Sequence, residues 1–389
     1  MRRVLALVSA VVLYNTIFAA ALAPYLPELT REFDLSKTEA GILSAAYPAG
    51  LLLGAIPGGL LAARIGVKPS VLLGVSLTVA SSVAFALAPT VWLLEVGRFG
   101  QGLSVAASWT GALAWVVTEG PRKRRGELIG RVSRAGLIGI LLGPVLGGAA
   151  ALFGRAPAFG SVALLGALVV AWTWVTPGSA RAAGTSLKAL FAAVVERRVA
   201  GGLWLGTLTA LLIGVLSVLA PLDLDRAGWG VIGVSGVFLV AAAAQACATP
   251  AVGRFADSHG RLIPVRAGLL GALVFSAAIP FVEERWLLAA VVIATALSYS
   301  VFWIPGLAVL SDGVDAAEIH QGLGFALMTL VWAAGQFAGA AGGGALADVS
   351  GDAMPFFVVA SLCALTLVTA HARALRARPA VASGQPPRL

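Results

Sequence analysis

Charge is scarce in this sequence: only 12% of the 389 residues are Asp, Glu, Lys or Arg, whereas 59% are hydrophobic. Soluble domains typically carry about 25% charged residues, because such residues cover a water-exposed surface. Here the 27 basic and 18 acidic residues lie in clusters that are separated by long uncharged runs. This distribution excludes a soluble enzyme, a disordered chain and a protein with a single membrane anchor. We therefore predict an all-α membrane protein that crosses the bilayer many times.

Residues that carry redox, metal and nucleotide chemistry are also scarce. The two cysteines, Cys247 and Cys363, lie inside apolar runs, where we interpret them as small buried hydrophobic residues. The three histidines, His259, His320 and His371, lie in predicted loops or at the end of a run. The sequence contains no G-x-x-x-x-G-K-[ST] phosphate-binding loop. We expect neither an enzyme nor an ATP-driven pump, and no metal or other cofactor.

Apolar runs of membrane-spanning length, which is about 20 residues, occur twelve times. They lie at 4–26, 40–63, 70–88, 92–118, 132–152, 158–176, 201–222, 231–255, 264–281, 286–310, 322–347 and 354–371. A more polar stretch with Arg181, Lys188 and Glu196 separates the sixth run from the seventh. The prediction is an N-terminal six-helix bundle (1–176), a cytoplasmic linker (177–200), a C-terminal six-helix bundle (201–372) and a cytoplasmic tail (373–389).

The positions of the basic residues predict the orientation of these spans. If both termini are cytoplasmic, 21 of the 27 Lys and Arg residues fall on inside segments, 5 fall on outside segments and one lies within a span. Such an excess of positive charge inside is typical of membrane proteins. It also accounts for the net charge of +9 without a nucleic-acid partner, since the basic residues do not share one soluble face. We expect an integral multi-pass protein of the cytoplasmic (inner) membrane, with its N- and C-termini inside.

Two glycine patterns recur about half a chain apart and predict an internal repeat. Gly59 and Gly66, seven residues apart after the second span, reappear as Gly253 and Gly260 after the eighth. The fifth span contains Gly139, Gly143, Gly147 and Gly148, and the eleventh contains Gly335, Gly339, Gly343 and Gly344. Two independent motifs share nearly the same offset. A duplicated six-helix unit around an axis normal to the membrane is a common transporter architecture, with its substrate site between the two halves.

The recurring loop motif combines glycines with charge. Its second copy runs from Gly253 to Arg261 and includes Arg254, Asp257 and Gly260. The glycines allow a tight turn, and the aspartate can cap a helix or pair with an arginine. The first copy includes Gly59, Arg64 and Gly66 but has Ala63 where the aspartate would lie. For this copy, a basic turn that only sets topology is an equally good interpretation.

The fourth span carries Arg98 within the sequence Arg98-Phe99-Gly100-Gln101-Gly102. A charge inside the bilayer is costly, so we expect Arg98 to face a cavity or a partner. Glu95 lies three residues earlier, within reach of an ion pair. The alternative is a structural pair that contacts no substrate.

The fifth span carries the pattern G-x-x-x-G-P-x-x-G-G, formed by Gly139, Gly143, Pro144, Gly147 and Gly148. Small residues one turn apart allow two helices to approach closely, and proline removes one backbone hydrogen bond of the helix. Helix packing alone does not explain why the pattern has this order.

On these motifs the whole chain resembles the major facilitator superfamily, and most closely its twelve-helix drug:proton antiporter branch. The resemblance implies two six-helix bundles related by a pseudo-two-fold axis. It implies that the loop residues Gly59, Arg64, Gly66, Gly253, Arg254, Asp257, Gly260 and Arg261 form a cytoplasmic latch between the halves. It also implies a role for Arg98 in proton transfer or in binding a substrate anion.

Polar and aromatic residues inside the spans are the candidates for a substrate cavity. They include Asn15, Tyr47, Gln101, Trp109, Gln245, Tyr299, Trp303, Trp332 and Gln336. A weakly polar cavity with aromatic walls suits amphiphilic or lipophilic solutes. No Asp or Glu lies near the middle of a predicted span, so Glu95 with Arg98 is the candidate site for proton coupling.

We expect a monomeric secondary transporter that exports small hydrophobic or amphiphilic compounds in exchange for protons, by alternating access within membrane lipid. Two alternatives stay open at this point. One is a symporter or uniporter for an organic anion that Arg98 binds. The other is a lipid or lysolipid flippase, or a sensor on the same fold.

Overall fold

The computed structural model describes residues 2–120, 125–178, 196–317 and 321–377. Across these residues the chain forms twelve α-helices and one short 3-10 turn, and no β-strand. The helices are α1 (Arg2–Phe33), α2 (Lys37–Arg64), α3 (Val67–Ala86), α4 (Val91–Glu119), α5 (Arg125–Phe153), α6 (Arg155–Val175), α7 (Arg197–Arg226), α8 (Gly230–His259), α9 (Leu262–Ala278), α10 (Arg285–Ala316), α11 (Gln321–Ser350) and α12 (Ala353–Ala377). Each predicted span falls on one of these helices, so the all-α fold is confirmed.

Ten of these helices are long and apolar enough to cross a membrane, judged on the described residues. The two that fall short are α4, which contains Glu95, Arg98 and Gln101, and the glycine-rich α11. Large apolar side chains such as Leu164 and Leu168 are exposed on the outer surface of the bundle. A water-soluble protein would not leave many such side chains exposed, whereas lipid accommodates them.

Tight turns join successive helices, and the two halves of the chain use equivalent ones. Three turns in each half contain a residue with a positive φ, a conformation that glycine adopts most readily; the turn at Gly228 contains a second one, Gly230 (60°). The equivalent pairs are Asp34 (51°) with Gly228 (88°), Gly66 (101°) with Gly260 (84°), and Gly154 (91°) with Gly351 (86°). The internal repeat predicted from the glycine patterns is therefore confirmed by the backbone, and it extends to turns that the patterns did not include.

Helix packing follows the same repeat. Within the first half α1 packs on α5, α2 and α3 pack on α4, and α3 packs on α6. The second half has the matching contacts: α7 with α11, α8 and α9 with α10, and α9 with α12. The principal contacts between the halves are α2 with α11 and α5 with α8, which are equivalent under the repeat. Two six-helix bundles related by a pseudo-two-fold axis are thus the architecture.

The two ends of the helix bundle form two faces, which are defined by the direction of α1. The near face is the one at which α1 begins; the far face is the one at which α1 ends and α2 begins. Arg31 at the end of α1 lies 3.9 Å from Asp225 at the end of α7. The end of α7 therefore also lies on the far face, and so does the end of α11, where Asp348 accepts a hydrogen bond from the backbone N–H of Thr38 in α2.

Two helices extend into the ranges predicted as linker and tail. Helix α7 begins at Arg197, inside the range 177–200 predicted as a linker, and α12 continues to Ala377, inside the range 373–389 predicted as a tail. Helices can project past the bilayer because their backbone hydrogen bonds are satisfied internally in water as well as in lipid. The remaining parts of the linker and tail, 179–195 and 378–389, lie outside the described residues.

Candidate functional site

Arg98 lies in the interior of the first bundle and is only 4% exposed. Its Nη1 donates hydrogen bonds to the backbone carbonyl of Phe18 at 2.8 Å and to Oε1 of Gln101 at 3.0 Å. The guanidinium also lies over the ring of Tyr47, 4.9 Å from its centroid. A carbonyl, an amide and an aromatic face thus stabilise this buried cation.

A chain of polar side chains continues from Arg98 along the inner surface of α4. Gln101 donates to Ser82 Oγ at 3.3 Å, and Ser104 shares a 2.7 Å hydrogen bond with Thr78. One helical turn further, Asn15 donates to Ser108 Oγ at 2.9 Å. Asn15 Oδ1 and Arg98 Nε, both buried, have no hydrogen-bond partner among the described residues. The first bundle therefore carries a polar core with unused donor and acceptor capacity beside a buried positive charge.

Glu95 does not join this polar core. No ion pair of the described residues connects Glu95 with Arg98, although their spacing on α4 permits one. The hydrogen bonds of the Arg98 guanidinium go to Phe18 and Gln101. Glu95 instead lines a separate groove of about 320 Å³ between α2, α4 and α11.

The second bundle contributes a pair of tryptophans in the middle parts of α10 and α11. The rings of Trp303 and Trp332 lie 4.6 Å apart between centroids, tilted by 59°. Both are half-buried, as are Trp109, Gln245 and Gln336. These five residues therefore keep part of their surface accessible.

The other predicted cavity residues are packed more deeply. The hydroxyl of Tyr299 shares a 3.1 Å hydrogen bond with Ser276 of α9, and its ring packs against Phe302. Tyr299 thus belongs to the core of the second bundle. Asn15 and Gln101 are buried in the first bundle, with exposures of 1% and 0%, and reach a solute only if the polar core opens.

Tyr47 lies where the two halves meet at mid-height. It belongs to a small buried cluster with Leu51, Val105, Ala106 and, from the second half, Ala333. Through Tyr47, whose ring lies against the Arg98 guanidinium, this cluster connects Arg98 with a residue of the second half.

Hydrogen bonds and ion pairs connect the halves at the far face. Asp348 at the end of α11 accepts hydrogen bonds from the backbone N–H groups of Lys37 at 3.3 Å and Thr38 at 2.7 Å. The Lys37 ammonium pairs with Asp352, and Asp352 also pairs with Arg226 at 2.7 Å. Burial alone would raise the pKa of Asp352, but these two cations hold it below its ordinary value. Sequence reasoning missed this cluster, because its residues lie outside every motif.

The predicted latch residues lie at the near face and make a different set of contacts. Arg261 donates to the backbone carbonyl of Ala308 at 2.9 Å and pairs with Asp312, both in its own half. Arg64, Arg254 and Asp257 are exposed. In the described part of the chain, no ion pair of these residues crosses to the other half. Gly66 and Gly260 occupy the positive-φ turns, and no atom lies within 4 Å of a Cβ built on Gly59 or Gly253.

The fifth-span glycines pack α5 against α1. A Cβ on Gly139 would lie 2.5 Å from the carbonyl oxygen of Leu13, and one on Gly147 would lie 2.9 Å from the Pro24 ring. Gly143 likewise abuts Ala20 of α1. Helix α5 continues through Pro144. The close approach predicted for these small residues is confirmed.

Gly148 faces the other half. Its nearest neighbour is Ser235 of α8, and Pro144 lines a groove of about 410 Å³ beside the same contact. The motif therefore combines packing within one half and contact between halves. No group of His, Cys, Asp and Glu side chains that could hold a metal ion occurs among the described residues.

Known proteins with similar sequences are transporters or multidrug resistance proteins by name. The family model of the Major Facilitator Superfamily matches residues 8–319 and 202–388. Among curated proteins, the chain is 31% identical to multidrug resistance protein 2 of Bacillus subtilis over 171 residues, which is 42% of each chain. It is 27% identical to a probable sugar efflux transporter of Helicobacter pylori over 164 residues, 41% of this chain and 42% of that one. It is 32% identical to multidrug resistance protein Stp of Mycobacterium tuberculosis over 124 residues, 32% of this chain and 23% of the relative.

The matches therefore span less than half the length of each of these curated relatives. Solved structures match over nearly the entire chain. A bacterial homolog of the human lysosomal transporter Spinster, in an inward-facing and unoccupied conformation, superimposes with a TM-score of 0.73 at 17% identity and covers 95% of both chains. The occupied, inward-facing form of that homolog matches with the same TM-score at 18% identity. At this identity the likeness shows the fold.

Proposed function

The chain belongs to the Major Facilitator Superfamily, and from this premise we propose that it is a proton-coupled secondary transporter for small hydrophobic or amphiphilic compounds. It exports them from the cytoplasm by alternating access. We propose that the near face, with both termini, is the cytoplasmic one in the inner membrane, because 21 of the 27 basic residues would then lie inside. The transporter works as a monomer in membrane lipid.

The observation that carries this proposal is the asymmetry of contacts between the halves. At the far face Asp348, Asp352 and Asp225 of the second half bond to Lys37, Thr38 and Arg31 of the first. At the near face Arg261 is bonded within its own half. Such a pattern is expected of a two-state transporter that is closed on the far side. Rocking of the halves would break the far-face bonds and bring the near-face latch together.

We propose a central substrate site between the halves, and the substrate class rests on the aromatic residues that we assign to it. Trp109, Trp303 and Trp332 offer large, weakly polar surfaces, which suit apolar solutes better than sugars. Two of the curated relatives bear names that refer to multidrug resistance. For proton coupling, Glu95 is the carboxylate of α4 that alternates between protonated and ionised states.

The test begins with a thermal-shift screen of the purified protein, since a ligand of the folded state raises its melting temperature. Flux of the best compound is then measured in proteoliposomes with and without an imposed pH gradient. We expect uptake that depends on the gradient, that is lost in Glu95→Gln, and that persists in the control Glu283→Gln at an exposed far-face turn. Flux that is independent of the pH gradient and unchanged in Glu95→Gln would contradict proton coupling through Glu95.

One observation favours a second candidate, an organic-anion transporter. Arg98 is buried, and among the described residues no carboxylate pairs with it. A substrate carboxylate could supply the missing negative charge. Competition by small organic anions that disappears in Arg98→Ala, without a matching change for neutral compounds, would favour this candidate over the first.

A further inference from the structure

A groove on the flank of the bundle is formed jointly by the two halves. Its walls include Ile42 of α2, Trp92 and Phe99 of α4, and Phe337 and Ala341 of α11. Its volume is about 320 Å³, which lies within the range of small-molecule sites. Trp92 is 69% exposed and Phe337 is 41% exposed, so the groove is open toward lipid. It is distinct from the proposed central site, because none of Trp109, Trp303 and Trp332 lines the groove.

Glu95 is the one ionisable residue that lines this groove in the described part of the chain. It lies four residues after Val91, the first residue of α4, which places it about 6 Å below the far face at 1.5 Å per residue. No hydrogen bond or ion pair of the described residues reaches its carboxylate. The charged side chain that acts on it is Glu39, another acid.

The nearest cation does not compensate this charge. Arg98 is one turn deeper on α4, but its guanidinium is directed to Phe18, Gln101 and the Tyr47 ring. A carboxylate at the edge of lipid that lacks a counter-ion is unfavourable. The electrostatics of the groove therefore favour a positively charged occupant.

The walls of the groove complement an organic cation. Trp92, Phe99 and Phe337 present aromatic rings around Glu95, and aromatic faces attract cations as well as apolar groups. Inorganic cations are excluded, because the groove offers one carboxylate and almost no other oxygen ligands for them. An occupant that is apolar and carries one positive charge satisfies both features.

We propose that this groove binds amphiphilic organic monocations that enter from the leaflet at the far face, with Glu95 as their counter-ion. The inference concerns a site beyond the space between the halves and does not depend on transport through that space. Because Phe337 and Ala341 belong to one half and Trp92 and Phe99 to the other, an occupant contacts both halves at once. Binding stabilises the state in which α2 and α11 are packed together.

The test is binding of tetraphenylphosphonium to the purified full chain in phosphatidylcholine nanodiscs, without any gradient. We expect Glu95→Gln to weaken binding at least tenfold and Phe337→Ala to weaken it severalfold. Glu283→Gln, the same chemical change at an exposed far-face turn outside the groove, should bind like the wild type. Melting temperatures without ligand check that each variant is folded.

A photoactivatable benzophenone derivative of triphenylphosphonium locates the bound cation. We expect it to label peptides that contain Trp92 to Phe99 or Phe337, and the label to be lost in Glu95→Gln. Labelling confined to other helices, or unchanged affinity in Glu95→Gln, would overturn the proposal. Phosphatidylethanolamine also carries an ammonium group; if adding this lipid abolishes the Glu95-dependent binding, the site is one for lipid headgroups and the proposed occupant is wrong.

Discussion

The carboxylate of Asp348 accepts hydrogen bonds from both the backbone N–H and the hydroxyl of Thr38, at 2.7 and 2.5 Å. Asp348 lies in the last turn of α11 in the second half, whereas Thr38 lies in the first turn of α2 in the first half. Helix N-termini leave N–H groups without intrahelical partners and favour nearby negative charge. Helix α2 also has its own cap from Ser36 and Glu39. The second half therefore adds a cap to a helix of the first, and this cap exists only while the far face is closed.

Asp348→Asn should favour opening of the far face. An exposed charged contact of this kind contributes about 1 kcal/mol or less, so the ratio of closed to open molecules should fall up to about fivefold. Double electron–electron resonance between spin labels at Thr90 and Glu283, which lie on far-face turns of the two halves, would measure the change as a longer distance. Asp312→Asn removes a near-face carboxylate bonded within one half and should leave these distances unchanged. A loss of closure of equal size in that control would contradict the proposal that Asp348 stabilises the closed far face.

Asp352 predicts a specific dependence on pH. Lys37 and Arg226 hold its pKa in the closed structure below the ordinary value, which is about 3.9. A depressed pKa means that the ionised group stabilises closure above the ordinary pKa and that this contribution is lost as pH falls through the lowered one. Wild type should therefore be more closed than Asp352→Asn near pH 7, the difference should begin to shrink below about pH 4, and it should vanish once the pH lies below the lowered pKa of Asp352. The same pair of spin labels provides the measurement. A difference between the two proteins that persists below the lowered pKa would contradict the proposal that ionised Asp352 stabilises closure.

Gly143→Ala should destabilise the first bundle itself. A Cβ at this position would lie 2.7 Å from the carbonyl carbon of Ala20 in α1, so the helices must separate. Overpacking of this kind costs about 1–3 kcal/mol, which should lower the melting temperature in detergent. Gly130→Ala is the matched control, because it lies in the same helix and a Cβ there has no neighbour within 4 Å. Equal melting temperatures of the two variants would count against tight packing of α1 on α5.

The glycine motifs predicted much of this architecture, because close helix packing and positive-φ turns leave a direct signature in sequence. Gly66 and Gly260 illustrate the turns, and Gly139 and Gly143 illustrate the packing. The contact partners of charged residues were not predictable in this way. The spacing of Glu95 and Arg98 allowed an ion pair, but which groups compete for the guanidinium depends on Phe18 and Tyr47, which only the fold brings near.

The far-face cluster is the clearest case of information that only the fold supplies. Thr38 and Asp348 are 310 positions apart, and neither belongs to a motif or to a predicted span. A residue just outside a hydrophobic run carries no local sign of which neighbour it meets. The repeat does relate the helices that meet there, since the contact of α2 with α11 corresponds to that of α8 with α5.

That correspondence yields a prediction for the contact of the halves. Gly344 of α11 packs on Gly41 of α2, as Gly148 of α5 packs on Ser235 of α8. A Cβ on Gly344 would lie 3.1 Å from the Gly41 Cα and would collide with the backbone carbonyl of Lys37. Because these neighbours belong to the other half, Gly344→Ala should leave each bundle folded but open the far face, with longer distances between labels at Thr90 and Glu283. Gly342→Ala, two residues away with no atom within 4 Å of its Cβ, should behave like the wild type. A fall in melting temperature without any change in these distances would mean that Gly344 stabilises its own bundle rather than the closed state.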